Sequence, residues 1–238
     1  VFGGRGFRYL LIDVAAGQGG LTVQRVTVEE RTFPIARAGT FQCSDPALDE
    51  LYRAGLTTTR LCRLDMFVDC PGRERVLWMD MAVEAHCGVY GFGDATLWRR
   101  CLFLFAQNPA REAPLTGAIK AFAPCDYDPV LLSYTLYYVL SVADYYEHTG
   151  DRDTCAALFP TVLKQCEIVA QFMNADGLLN DKWPSWGTFL DWSAMDIGGV
   201  SSCNNAIQIR ALRATAGLAR VVGKEVLAAD FETRAEAL

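Results

Sequence analysis

Thirteen residues, Val68 to Asp80, hold most of the side chains in this sequence that could do chemistry. Asp69, Glu74 and Asp80 supply carboxyls, Arg73 and Arg75 supply guanidinium groups, and Cys70 and Trp78 stand among them. A buried carboxylate or guanidinium costs several kcal/mol unless it is paired. The cluster therefore needs water or its own members as partners, and it reads as the lip of a binding cleft. Pro71 and Gly72 interrupt any regular element ahead of it. Trp78 offers the flat apolar face on which sugars and other amphipathic ligands stack. A salt-bridge network at a helix start, with Trp78 an ordinary core residue, accounts for the same residue types equally well.

A second stretch, KWPSWGTFLDWSAMDIGG, places Trp183, Trp186 and Trp192 within ten residues, together with Asp191 and Asp196. Three of the five tryptophans so close together make either an apolar plug or, mixed with aspartates and glycines, a saccharide-stacking wall. The remaining composition narrows the agents. There are two histidines, His86 and His148, so a histidine zinc site or a Ser-His-Asp triad has little to draw on, and carboxylates are the expected catalysts. His86 is expected to be a satisfied core or surface histidine, and nothing calls for a metal or another cofactor. The nine cysteines (43, 62, 70, 87, 101, 125, 155, 166 and 203) contain no C-x-x-C pair. An odd, scattered set fits free, mostly buried thiols in a reducing compartment such as the cytoplasm.

The formal charge of −6 comes without a basic run, which argues against nucleic acid or an anionic membrane as partner. No apolar run approaches the roughly 20 residues of a spanning helix. No signal peptide is visible either, although the chain opens on Val1 rather than Met. With 51% apolar and 21% charged residues, the composition is that of an ordinary globular protein.

The elements that must position these residues divide at about residue 42. FRYLLIDV and LTVQRVTVEERTF, separated by AAGQGG, predict two or three antiparallel strands. The GGRG near the start lacks the lysine and the following helix of a phosphate-binding loop. Beyond that, Asp45 is a good N-cap and Pro46 suits the first helical position, so a helix is expected to about Leu64. Further helices are expected over about 76–90, 95–106, 128–148, 154–174, 201–222 and from 225 onward, with Asp126 and Asp128 capping the fourth. Seven helices with short links make an all-α array of antiparallel pairs. The two long loops, 65–75 and 175–200, carry the unusual chemistry.

GFRYLLI, then GTFQCSDPALDELY, then DCPGRER with its Trp, then TFLDW resemble, in that order and over most of the chain, the bacterial α-L-rhamnosidases of glycoside hydrolase family 78. The resemblance implies a mainly α fold. Residues 1–42 would be the last strands of a β-sandwich domain, and residues 43–238 the N-terminal part of an (α/α)6-barrel (six-hairpin glycosidase) catalytic domain, truncated. It also implies a role in carbohydrate metabolism, namely removal of terminal α-L-rhamnose by an inverting mechanism. Glu74 matches the family's general acid. Asp69 and Arg73 match residues that bind sugar hydroxyls, Trp78 an aromatic packed against the sugar, and Asp191 and Trp192 the Asp-Trp pair of a barrel loop; Trp186 is expected to join that wall. Inversion needs a second carboxylate to activate water, roughly 6.5–9.5 Å away, and in the family it lies on a later loop, beyond this chain. The missing parts of its own chain are thus expected partners beside the carbohydrate, and an exposed apolar edge is expected.

One departure stands out. The family places an aspartate seven residues after the acid, whereas Asp80 lies six after Glu74. Either Asp80 fills that position after a one-residue deletion or Met81 does and a contact is lost. A glycosidase of other sugar specificity and a non-catalytic carbohydrate-binding or architectural member are the alternatives. A general acid must also keep its proton near neutrality. A neighbouring Asp69 favours that, and Arg73 and Arg75 oppose it where they converge on Glu74.

Overall fold

The computed structural model describes residues 7–14, 19–36, 38–70, 72–187 and 189–238. The GGRG segment at 3–6, the turn-forming residues 15–18 and Pro71 lie outside these ranges, and so do the expectations that fall on them.

The helical region starts as its sequence predicts. Asp45 accepts the Ala47 N–H at 2.9 Å, and Pro46 opens α1 (Pro46–Leu61). A two-residue strand, β1 (Leu77–Trp78), precedes α2 (Met81–Phe92) and α3 (Thr96–Ala106). A second short strand, β2 (Phe122–Ala123), leads to α4 (Leu132–Thr149), α5 (Arg152–Ala170), α6 (Ser202–Val221) and α7 (Glu225–Glu236). Gly93 (φ 64°) and Gly150 (φ 68°) end α2 and α4 in the left-handed conformation that favours glycine. Asp151 and Ser201 cap α5 and α6 by accepting the Thr154 and Asn204 N–H groups.

The helices pack as alternating layers, with α2 beside α4 beside α6 in one and α3 beside α5 in the other, and α7 folded back on α6. This arc of helix pairs is part of an (α/α)6 barrel. Its core lies between the layers, where Trp98 is fully buried and donates Nε1–H to Ser141 Oγ at 2.9 Å. Tyr138 donates its hydroxyl to the Leu102 carbonyl at 3.3 Å, so both large polar-tipped rings are satisfied. Arg63, 0% exposed, is ion-paired with Asp94 and ringed by Phe33, Phe67 and Phe92, with centroids 5.4, 5.7 and 5.3 Å away. Its carbonyl accepts the Phe33 N–H at 2.5 Å, which docks the segment before α1 onto the helices.

Several elements differ from expectation. The described parts of 7–14 and 21–33 form no strand and expose Tyr9, Leu11 and Val28, since a strand exists only with a partner to share its ladder. The second helix starts at Met81 rather than Val76, because Arg75 is left-handed (φ 54°) and residues 77–78 pair as a strand. The fourth starts at Leu132, and Asp128 does not cap it. That carboxylate accepts the Arg111 and Glu112 N–H groups at 2.6 and 2.9 Å and pairs with buried Lys120 at 3.0 Å. The fifth runs from Arg152 to Ala170. All nine thiols are free, but only Cys101, Cys155 and Cys166 are buried, and four are exposed. An apolar edge is present: α1 buries no residue, and Leu48, Leu51, Val83 and Tyr90 face solvent. No helix among the described residues is long and apolar enough to cross a membrane.

Candidate active site

The acidic motif folds as a closed turn. The Asp69 N–H donates to the Val76 carbonyl at 3.2 Å, and the Arg75 N–H donates back to Asp69 at 3.1 Å. Within that ring the Arg73 and Glu74 N–H groups both reach the Cys70 carbonyl, at 2.8 and 3.1 Å. Cys70 (φ 44°) and Arg75 (φ 54°) hold left-handed backbone on either side of Glu74, a conformation uncommon for residues with a Cβ. Such strain persists only where the surroundings over-determine it. The surroundings here are β1 and β2, paired antiparallel with Leu77 opposite Ala123 and Trp78 opposite Phe122.

That pairing starts an aromatic wall. The Trp78 ring lies 4.6 Å from Phe122 and 6.4 Å from Trp186, and Tyr127 lies 5.6 Å from Phe122 and 6.5 Å from Trp186. The loop bearing Trp186 is stitched to the start of α4. Trp183 donates Nε1–H to the Val130 carbonyl at 3.1 Å, the Val130 N–H donates to Ser185 Oγ at 3.1 Å, and Ser133 Oγ donates to the Phe189 carbonyl at 3.4 Å. Trp183 is therefore core (5% exposed) while Trp186 presents a half-open face (51% exposed). Trp183 is thus the apolar plug, whereas Trp186 stands at the exposed side of an aromatic cluster.

The charged groups split into two sets. Glu74 is ion-paired with Arg73, so one of the two arginines does converge on it. Asp69 accepts the Cys70 thiol at 3.3 Å, and Asp80 accepts the Tyr134 hydroxyl at 2.7 Å. Burial first, then the bond to Asp80, pushes the Tyr134 phenol far up. Glu84 lies one helical turn beyond Asp80 and is half-buried; burial, then Asp69 and Asp80, push its carboxyl up to about 7. Met81 is in the core, 1% exposed, whereas Asp80 is exposed. Asp80, not Met81, is thus the one open to solvent. Residues 75–80 form no helix.

Asp191 and Trp192 sit on the Trp186 loop but engage each other and their neighbours. Asp191 accepts the Trp192 N–H at 2.7 Å and the Ser193 hydroxyl at 3.0 Å, and Trp192, 91% exposed, meets Phe189 at 5.1 Å. Among the described residues neither is bonded to the 69–80 turn. His86 is satisfied, with Nδ1 2.7 Å from the Ala82 carbonyl and its ring 5.0 Å from Trp98. It lines a hollow between α2 and α4 with Tyr90, Asp144 and Arg210, on a different face of α2 from Asp80. Sequence reasoning missed Glu84, Tyr134, Phe122 and Tyr127. Only Glu84 left a signal, its i,i+4 spacing from Asp80. Among the described residues no group of three or more His, Cys, Asp or Glu side chains is placed to hold a metal ion.

The family model of the bacterial alpha-L-rhamnosidase 6 hairpin glycosidase domain matches residues 36–238. The GH78 family rhamnosidase of Bacillus sp. GL1 is 32% identical, with a TM-score of 0.79 over 87% of this chain and 21% of that one. A rhamnosidase from Klebsiella oxytoca, solved with rhamnose bound, is 26% identical, with a TM-score of 0.72 over 84% of this chain and 39% of that one. The α-L-rhamnosidase of Aspergillus terreus, 18% identical with a TM-score of 0.72, shares the fold. The chain thus spans well under half the length of these solved proteins. No curated protein sequence matches it significantly.

Proposed function

The chain belongs to the six-hairpin glycosidase family of bacterial α-L-rhamnosidases, and from that premise we propose that it is part of an inverting hydrolase removing terminal α-L-rhamnose from glycosides or polysaccharides. The observation that carries the reading is the aromatic wall of Trp78, Phe122 and Trp186. It is set beside the Asp80–Tyr134 pair and assembled from segments far apart in sequence. A sugar ring stacks one apolar face on such a wall and offers its hydroxyls to carboxylates at the edge.

In this reading Glu74 is the general acid. Its proton passes to the glycosidic oxygen as the bond from that oxygen to the anomeric carbon breaks, and water adds to the opposite face. The base that takes the water's proton is supplied from outside these 238 residues. Asp69, Asp80 and Arg73 bind hydroxyls, and Arg73 must leave Glu74 when the acid takes up its proton. Asp191 and Trp192 close on the sugar only if their loop moves toward the 69–80 turn.

A second reading, a non-catalytic carbohydrate binder of the same family, draws on that Arg73–Glu74 ion pair, which occupies the carboxyl assigned as the acid. Hydrolysis of p-nitrophenyl α-L-rhamnoside by the full gene product, run beside Glu74→Gln, separates the two. The hydrolase reading expects turnover that drops about 10²–10⁴-fold in the variant. Sugar binding without turnover of any aryl glycoside would favour the binder.

A further inference from the structure

A lysine is almost never fully buried unless its charge is paired, and Lys120 is 1% exposed at the root of the loop that follows it. That loop, 121–129, is closed at its base: the Ala121 N–H donates to the Pro129 carbonyl at 2.6 Å, and the Ala121 carbonyl accepts the Met79 N–H at 3.1 Å. Within the loop Cys125 is held on both sides. Its N–H donates to Asn108 Oδ1 at 3.1 Å, and its carbonyl accepts the Lys120 ammonium at 3.0 Å. The Cys125 thiol lies 3.2 and 3.3 Å from the carbonyls of Phe122 and Tyr127, the two loop residues whose rings join the aromatic wall.

We infer that Lys120 is a positioning residue of the sugar site, holding Cys125 so that Phe122 and Tyr127 stand ordered against Trp78 and Trp186 before a sugar arrives. The inference rests on the sugar-binding reading above and deepens it. A buried ion pair is weak evidence for stability, because well-packed apolar residues of similar volume often serve as well. What they lack is the directed bond to the Cys125 carbonyl. Asp128 completes the arrangement from the far end of the loop. Its Oδ1 lies 3.0 Å from the ammonium, and its Oδ2 accepts the Arg111 and Glu112 N–H groups at 2.6 and 2.9 Å. Rings already ordered lose little freedom on binding a sugar, so the affinity is correspondingly higher.

The test compares the full gene product with Lys120→Met/Asp128→Asn, which removes both charges together, and with Asn108→Ala, which releases the Cys125 N–H from the other side. p-Nitrophenyl α-L-rhamnoside gives kcat and KM, calorimetry gives L-rhamnose affinity, and a melting curve reports the fold. The double variant should raise KM and lower L-rhamnose affinity about tenfold with kcat nearly unchanged, and Asn108→Ala should do the same about threefold. Loss of folded protein alone lowers kcat and leaves KM where it was. That pattern, or unchanged affinity in either folded variant, overturns the inference. Asn108→Ala decides it if the double variant fails to fold, and affinity alone decides it if the wild type binds without turnover. A wild type that neither binds L-rhamnose nor hydrolyses the glycoside overturns the sugar reading and the role of Lys120 with it. Variants that match a binding wild type overturn only the role of Lys120.

Discussion

The Tyr134 hydroxyl donates to Asp80 Oδ2 at 2.7 Å, joining the first turn of α4 to the start of α2. The bond ties an exposed carboxylate to the Tyr134 ring, which itself stands edge-on to Trp78 with ring centroids 6.5 Å apart. Tyr134→Phe keeps the ring contact and removes the donor. Since Asp80 can turn to water, the expected cost in stability is about 1 kcal/mol or less. The sugar-binding reading adds a loss of L-rhamnose affinity of about fivefold. Calorimetric titration beside a melting curve separates the two effects, and unchanged affinity would remove Asp80 from the binding edge.

Trp183 and Trp186 are three residues apart and should behave oppositely. Trp183 packs its ring 4.9 Å from Phe172 and donates to Val130, so Trp183→Ala should cost about 3–5 kcal/mol. Trp186→Ala should leave urea unfolding nearly unchanged and weaken sugar binding. Equal destabilisation by the two would mean that Trp186 is structural as well.

Lys120 is 1% exposed, and its ammonium lies 3.0 Å from Asp128 and donates to the Cys125 carbonyl at 3.0 Å. It fixes the loop that carries Phe122 and Tyr127. Lys120→Met should destabilise by about 3 kcal/mol, because Asp128 loses its principal cation. The double variant with Asp128→Asn should be less damaged than the sum of the single changes, a coupling that a double-mutant cycle in urea measures.

Asp151 caps α5, accepting the Thr154 N–H at 3.0 Å and the Thr154 hydroxyl at 2.6 Å, with the Tyr145 hydroxyl at 2.8 Å. These bonds, led by the Thr154 hydroxyl, hold its carboxyl below the usual range. A depressed pKa contributes stability above the unfolded value and loses it as pH falls through the folded one. Asp151→Ala should therefore cost about 1 kcal/mol at neutrality, and the difference from wild type should shrink in acid. A difference that grows in acid would contradict this assignment.

What the sequence made legible was local. Asp45–Pro46 announces α1 because capping is settled within three residues, and the 68–80 motif shows through its residue types that it is no core helix. Contacts between distant segments stayed hidden. The β1–β2 pair is two residues long on each side, too short for any alternation to show, yet it moves the start of α2 from Val76 to Met81. Asp128 looked like a helix cap until Lys120 and the 111–112 amides were found to compete for it. Tyr134 carried no signal, since a tyrosine on an apolar helix looks like core until its hydroxyl finds a partner 54 residues away.

The Asp69–Val76 and Arg75–Asp69 backbone bonds tie the motif into a ring whose circumference is fixed. Composition inside the ring can drift, provided that positions 70 and 75 tolerate their left-handed backbone. Length cannot, because one added or deleted residue would break both bonds and shift Trp78 out of register with Phe122. The segment from Asp69 to Trp78 therefore folds as one unit with its opposite strand, and libraries that vary spelling at constant length should retain far more folded members than those that vary length.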